Sequence, residues 1–156
     1  FFGLYGNGPD EGDEDIDMMP TLIGGPTYTS SYFGGSRFND NMFDSRDITY
    51  ATSMIAAGFK VKDFKTGEKL THEFQLMYAQ GDAEGTIFTA PDDMLLNEDE
   101  SFVEVNFNSD YQLMKNLVFA TEFGYIAFDE DSDYNEAAGG DVEDLWKAAA
   151  AFEFSF

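Results

Sequence analysis

Carboxylates at alternate positions are the groups in this 156-residue chain whose spacing most resembles a binding motif. Two sets have the spacing of the first ligands in a calcium-binding loop: Asp13, Asp15 and Asp17, and Asp129, Asp131 and Asp133. Neither set is an EF-hand, because Met18 and Tyr134 stand where that loop needs glycine. Gly24 and Gly140 also stand where it needs glutamate. A Ca²⁺ site and a merely solvated acidic loop both fit, and no other cofactor is expected.

Nucleophilic catalysis would depend on His72, because the chain contains a single histidine and no cysteine. His72 lies close to a short connection and shares its parity with Phe74, which favours an interfacial residue over a catalytic base. The lack of cysteine excludes disulfides, thiolate zinc sites and cysteine nucleophiles. We therefore expect no enzymatic activity.

A third set of polar residues recurs at alternate positions within otherwise apolar stretches. Its members are Glu73, Gln75, Glu104, Asn106, Asn108, Asp110, Glu122, Lys147 and Glu153. In a soluble β-sandwich, two of these carboxylates could form a catalytic acid–base pair. They recur on the polar face of successive strands, however, so the simpler interpretation is that they line an aqueous lumen.

The overall charge narrows the range of partners. The chain has 31 acidic against 8 basic residues and a formal net charge of −23, which excludes a nucleic-acid binder because phosphate neutralisation needs a basic surface. Aromatic residues make up 17% of the chain, which favours ordered structure over an acidic disordered chain. No apolar run is long enough for a transmembrane helix.

Six stretches alternate apolar and polar residues with a period of two, the pattern of strands with two different faces. They cover approximately residues 1–6, 48–61, 71–80, 102–111, 116–128 and 145–156. Long acidic segments at 9–47, 82–100 and 129–144 read as loops, because they are rich in Gly, Asn, Ser and Pro. Short connections at 63–68 and 112–116 alternate with them.

Two all-β architectures fit this pattern, a soluble antiparallel sandwich and an up-and-down transmembrane β-barrel. The predicted strands are about 10 to 13 residues long, as a tilted bilayer crossing requires, which favours the barrel. Tight turns at one end and long polar loops at the other also favour it. Four aromatic residues near strand ends are candidates for the interfacial girdles: Tyr78, Tyr111, Tyr125 and Trp146.

The last strand carries Phe152, Phe154 and Phe156 on one face, with Phe156 at the end of the sequence. This ending resembles the C-terminal signal of Gram-negative outer-membrane barrels that the barrel-assembly machinery recognises. The wider chain resembles the C-terminal part of large single-chain porins, notably the alginate-export-like group. That likeness consists of a strand ending in LYGNG, an acidic loop (DEGDEDID), an apolar stretch (MMPTLIGG), two hairpins and the terminal strand.

The resemblance implies residence in the bacterial outer membrane and passive diffusion of small hydrophilic solutes or ions. Its implied partners are outer-membrane lipids, lipopolysaccharide and the assembly machinery, and a homotrimer is among the assemblies to expect. On the expected lumen wall, carboxylates outnumber the lysines at 60, 62 and 147, which predicts cation selectivity.

Strand number separates two interpretations, since a bacterial barrel needs at least eight strands. The first expects the chain to be the C-terminal part of a larger barrel that conducts solutes. The second adds a hairpin from Met18–Ile23 and Thr27–Phe33, joined by Gly24, Gly25 and Pro26. That gives a small eight-stranded barrel with a filled lumen, whose acidic loops bind cations, lipopolysaccharide or a partner.

Overall fold

The computed structural model describes residues 1–6, 29, 37–38, 54–81, 101–129 and 144–156. These residues form six strands: β1 (Phe2–Gly6), β2 (Met54–Lys65), β3 (Leu70–Gly81), β4 (Ser101–Met114), β5 (Leu117–Phe128) and β6 (Leu145–Phe154). They form one open antiparallel sheet in the order β1-β2-β3-β4-β5-β6. The predicted all-β class with six antiparallel strands is confirmed, and no described helix is long and apolar enough to cross a membrane.

Two strands extend beyond the ends that their alternation predicts. β2 continues past Val61 to Lys65, and β4 continues past Tyr111 to Met114. In both, the pairing register shifts near the predicted end, between Val61 and Phe64 in β2 and between Gln112 and Met114 in β4. An extra residue in one strand breaks the period of two, so the pattern ends before the pairing does. Residues 48–53, predicted as the start of this second strand, lie outside the described residues.

One side of the sheet, which we call the buried face, is apolar near the long connections and polar near the short turns. Its apolar part is a cluster of buried side chains: Met54, Ala56, Met77, Ala79, Phe102 and Ile126. Phe2 and Leu4 of β1 pack against this cluster, as do Phe128 and Leu145. Burial of these side chains removes apolar surface from water and stabilises the sheet at the end where the long connections leave it.

The opposite side, which we call the aromatic face, exposes large apolar side chains. They include Tyr5, Ile55, Val61, Tyr78, Val103, Phe107, Tyr111, Phe123, Tyr125, Trp146, Phe152 and Phe154. A soluble monomer rarely exposes a contiguous apolar surface of this extent. The burial pattern is therefore the reverse of that expected for a water-soluble sheet, since the charged strand residues lie on the covered side.

Candidate functional site

The polar part of the buried face is built from two adjacent rows of paired residues. In the first row, cross-strand pairing joins Lys60, Gln75, Asn106, Gly124 and Lys147 in succession from β2 to β6. In the second row, pairing joins Glu73 to Asn108 and Asn108 to Glu122. Because side chains at alternate strand positions share a face, these polar groups converge on one surface.

Hydrogen bonds between these side chains link β3 with β4. Asn106 Nδ2 donates to Gln75 Oε1 at 3.2 Å and to Glu104 Oε1 at 2.5 Å. Asn108 Nδ2 lies 3.4 Å from Glu73 Oε1. Gln75, Glu104 and Asn106 are almost fully buried. Their hydrogen bonds offset the cost of removing amides and a carboxylate from water.

Thr29 connects the long segment between β1 and β2 to this surface. Its hydroxyl donates to Glu104 Oε2 over 2.8 Å, and both residues are 0% exposed. Sequence reasoning did not find this contact, because the two residues are 75 positions apart and neither belongs to a shared motif. The polar surface is thus covered by the chain itself at Glu104, where alternation predicted a side chain in an open lumen.

Arg37 makes a second connection from the same segment, to carboxylates of three strands. Its guanidinium lies 2.5 Å and 3.1 Å from the two carboxylate oxygens of Asp110 and 3.5 Å from Glu153 Oε1. Its backbone N–H donates to Glu122 Oε1 over 2.9 Å. Burial alone would lower the pKa of Arg37, but the hydrogen bond with Asp110 and the surrounding carboxylates raise that pKa above its ordinary value. The guanidinium therefore stays charged.

The lysines of the buried face also have carboxylate neighbours. Lys62 Nζ lies 3.5 Å from Glu73 Oε2, and Lys60 Nζ lies 3.9 Å from Glu73 Oε1. Lys147 Nζ lies 3.5 Å from Glu122 Oε2, and both side chains of this pair are buried. A buried pair of this kind makes the loss of either partner costly, because the remaining charge is left in a poorly solvated place.

A cavity of about 300 Å³ opens between these charged groups. It is lined by Arg37, Lys60, Lys62, Asp63, Thr71, His72, Glu73, Asn108, Asp110 and Glu122. Asn108 Oδ1 is buried at this wall without a hydrogen-bond partner in the described part of the chain. The cavity is chemically suited to a small hydrophilic solute, since charged and hydrogen-bonding groups surround it.

All nine residues predicted to line a lumen lie on the buried face, in two groups of contacts. Hydrogen bonds connect Glu73, Gln75, Glu104, Asn106 and Asn108. Arg37 and the Glu122–Lys147 pair connect Asp110, Glu122, Glu153 and Lys147. The nine residues are not equally accessible, because Gln75, Glu104, Asn106, Glu122 and Lys147 are each no more than 8% exposed. More accessible charged groups lie at the cavity, in Asp110 and Lys62, and at Glu153 beside Arg37. Arg37 adds a fourth basic group to the three lysines considered in the sequence, against the five carboxylates that were predicted to line the lumen.

His72 borders the cavity, but its imidazole ring belongs to a cluster on the aromatic face of the sheet. Its ring lies between Phe64 and Phe107, with ring centroids 5.0 Å and 5.1 Å away. Thr66 Oγ1 is 2.7 Å from Nε2, and Ser109 Oγ is 2.8 Å from Nδ1. Both ring nitrogens are thus satisfied by hydroxyl groups in a nearly buried site. No carboxylate takes part in these hydrogen bonds, so the cluster differs from a Ser–His–Asp triad.

The predicted metal ligands fall almost entirely outside the described residues. Asp13, Asp15, Asp17, Asp131 and Asp133 belong to segments that the structure leaves undescribed, and Asp129 accepts a hydrogen bond from the Ser101 hydroxyl at 3.3 Å. Among the described residues, no group of three or more His, Asp or Glu side chains is arranged to hold a metal ion. The calcium site stays a prediction.

The three phenylalanines of the predicted assembly signal are accessible. Phe152 and Phe154 lie on the aromatic face, 68% and 53% exposed, and Phe156 follows β6 with its ring 4.9 Å from that of Phe154. Phe152 also packs against Phe119 of β5 at 5.1 Å. Recognition of these residues by an assembly factor stays a prediction.

Comparison of the chain with protein-family models, curated proteins and solved structures found no match.

Proposed function

We propose that this sheet is part of the wall of an outer-membrane β-barrel and that its buried face borders an aqueous path for small hydrophilic solutes or ions. The observation that carries the proposal is the reversed distribution of polarity. Carboxylates and lysines of the strands converge on one face, while the other exposes aromatic and aliphatic side chains. Lipid is the solvent that suits such an aromatic face.

The spacing of aromatic residues supports the same proposal. On the aromatic face of β3, Tyr78 lies near one end of the strand and Leu70 lies eight residues away, at the other end. Leu70 is the cross-strand partner of Tyr111, so an aromatic residue is found at both ends. Trp146 and Phe154 of β6 are also eight residues apart. Eight residues span about 26 Å along a strand, or about 20 Å across the membrane at a tilt near 40°. That height is close to the apolar band of a transmembrane barrel.

The pattern of connections fits a barrel wall as well. Neighbouring strands are consecutive in sequence, and the turns between β2 and β3 and between β4 and β5 are short. An open edge in lipid would leave backbone groups unsatisfied, so the proposal requires further pairing along β1 and β6. Six strands are also fewer than a closed barrel needs.

Burial of the polar groups favours a second candidate, a barrel with a filled and non-conducting lumen. Glu104 and Asn106 are 0% exposed, and Thr29 covers Glu104. A small eight-stranded barrel has an interior filled by side chains in this manner. The cavity beside Arg37 favours the conducting candidate, because polar surface there is open to solutes.

Reconstitution separates these candidates. We expect the native protein to need detergent for extraction, to migrate differently before and after boiling, and to conduct in planar bilayers. With five carboxylates against four basic groups, the reversal potential in a potassium chloride gradient should show a small preference for cations. A heat-modifiable protein without conductance would support the filled barrel. A monodisperse protein without detergent would contradict both.

A further inference from the structure

Carboxylates from three neighbouring strands contact Arg37 on the buried face, Asp110 and Glu153 at its guanidinium and Glu122 at its backbone N–H. Asp110 comes from β4, Glu122 from β5 and Glu153 from β6. Ala120 is paired with Asp110 and lies two residues from Glu122 on the same face, so a small side chain occupies the centre of the group. The arrangement therefore offers negative charge on several sides of a place that a flat cation can enter.

The Arg37 guanidinium, which already contacts these carboxylates, shows which kind of cation they fit. Asp110 contacts two guanidinium nitrogens of Arg37 with its two oxygens, which is the bidentate geometry that matches a planar fork. An ammonium ion provides one compact charge and cannot reproduce these two parallel bonds. The same carboxylates are not arranged to hold a metal ion. Shape thus favours guanidinium over either alternative.

The site is also open to exchange. The side chains of Arg37, Asp110 and Glu153 are 36%, 38% and 49% exposed. Arg37, Asp110 and Glu122 line the cavity of about 300 Å³, which gives a small solute access beside the resident guanidinium. Over the whole cavity wall, four carboxylates at positions 63, 73, 110 and 122 face the basic groups of Arg37, Lys60 and Lys62. The excess of negative charge favours an incoming cation.

We propose that this cluster is a binding site for free guanidinium-type cations and that Arg37 is its tethered, competing occupant. A solute carrying a guanidinium group replaces the Arg37 side chain on Asp110 and releases Arg37 from the buried face. Binding at the site is independent of any pore. Its consequence, entry of the solute to an aqueous path that Arg37 otherwise obstructs, rests on the proposed function.

Thermal unfolding of the full chain, folded in detergent, tests the site with methylguanidinium chloride as the probe. In Arg37→Gln the competitor is removed, and we expect methylguanidinium to raise the unfolding midpoint at a roughly tenfold lower concentration than in the unaltered protein. Methylammonium chloride at equal concentration controls for ionic strength and should have little effect. Arg37→Gln/Asp110→Asn lacks the bidentate partner and should lose the methylguanidinium response.

Equal midpoint shifts with the two salts would overturn the proposal, as would equal responses of the single and double variants. Arg37→Lys provides a test if Arg37→Gln does not fold, because it keeps the positive charge. The concentration of methylguanidinium that gives half of the midpoint shift should be lower for Arg37→Lys than for the unaltered protein. An unchanged concentration would contradict competition between Arg37 and the probe. Conductance is measured separately: if no variant conducts but methylguanidinium still binds selectively, the pore is rejected and the binding site is retained.

Discussion

Thr29 is the residue that most directly tests whether the segment between β1 and β2 covers the buried face. Thr29→Val keeps the shape of the side chain but removes the hydroxyl that donates to the buried Glu104 carboxylate. We expect a loss of about 1–3 kcal/mol in the free energy of unfolding, because a buried acceptor loses a donor. Denaturant unfolding measures this loss. Thr29→Ser keeps the donor and should retain most of the stability, whereas equal stability of all three proteins would show that the contact contributes nothing.

For individual side chains, the sequence predicted which strand residues share a face but not which residues cover them. Alternation alone groups Glu104 with Asn106, since strand side chains alternate between faces. Thr29 and Glu104 are 75 residues apart in the sequence, and Arg37 and Asp110 are 73 residues apart. No local sequence pattern indicates contacts over such separations.

Among the strand elements, β2 depends on a glycine where three strands approach closely. A Cβ atom added to Gly58 would lie 2.6 Å from Phe2 Cζ and 3.1 Å from Met77 Cα, and closer still to the Leu76 carbonyl oxygen. Two of these neighbours are backbone atoms of β3, which cannot move without disturbing the pairing. Gly58→Ala should therefore lower the free energy of unfolding by about 1–3 kcal/mol through overpacking.

Gly3→Ala is the matched control for that substitution. Its added Cβ would meet only the Ala56 carbonyl oxygen, at an ordinary 3.7 Å. We expect a neutral or slightly stabilising effect, because alanine restricts the unfolded chain more than glycine does. Unfolding midpoints of the two variants, measured side by side, give the comparison. If both substitutions had the same effect, the close packing of β1, β2 and β3 around Gly58 would be refuted.

The strands were predictable because each keeps a period of two over most of its length, and the bounds of β5 and β6 lie within two residues of those expected. The predicted ends of β2 and β4 come several residues before the observed ends, for the same reason in both strands. A register shift changes the parity of the following residues, so Phe64 and Met114 no longer continue the alternation that precedes them. Pairing across the shift depends on the neighbouring strand, which single-sequence alternation does not include.

For the whole molecule, the central question is which solvent contacts the aromatic face. On β6, Ala150 lies on this face, four residues from both Trp146 and Phe154, and so at the middle of the proposed apolar band. In water, an exposed alanine replaced by arginine changes stability by no more than about 0.5 kcal/mol. At the midplane of a bilayer the same change costs about 2–4 kcal/mol, because the guanidinium loses its hydration.

Ala150→Arg therefore distinguishes lipid from water with one exposed side chain. We expect it to lower the unfolding free energy in lipid vesicles and to reduce the fraction that reaches the heat-modifiable folded form. Ala150→Leu should be tolerated, since it stays apolar. Ala127→Arg should cost at most about 1 kcal/mol, because Ala127 shares the aromatic face with Tyr125 and lies at the end of β5, near the proposed interface. A cost at Ala150 that exceeds the cost at Ala127 is specific to a membrane of finite thickness. Equal and negligible costs at both positions would mean that water contacts the aromatic face, and the barrel proposal would fail.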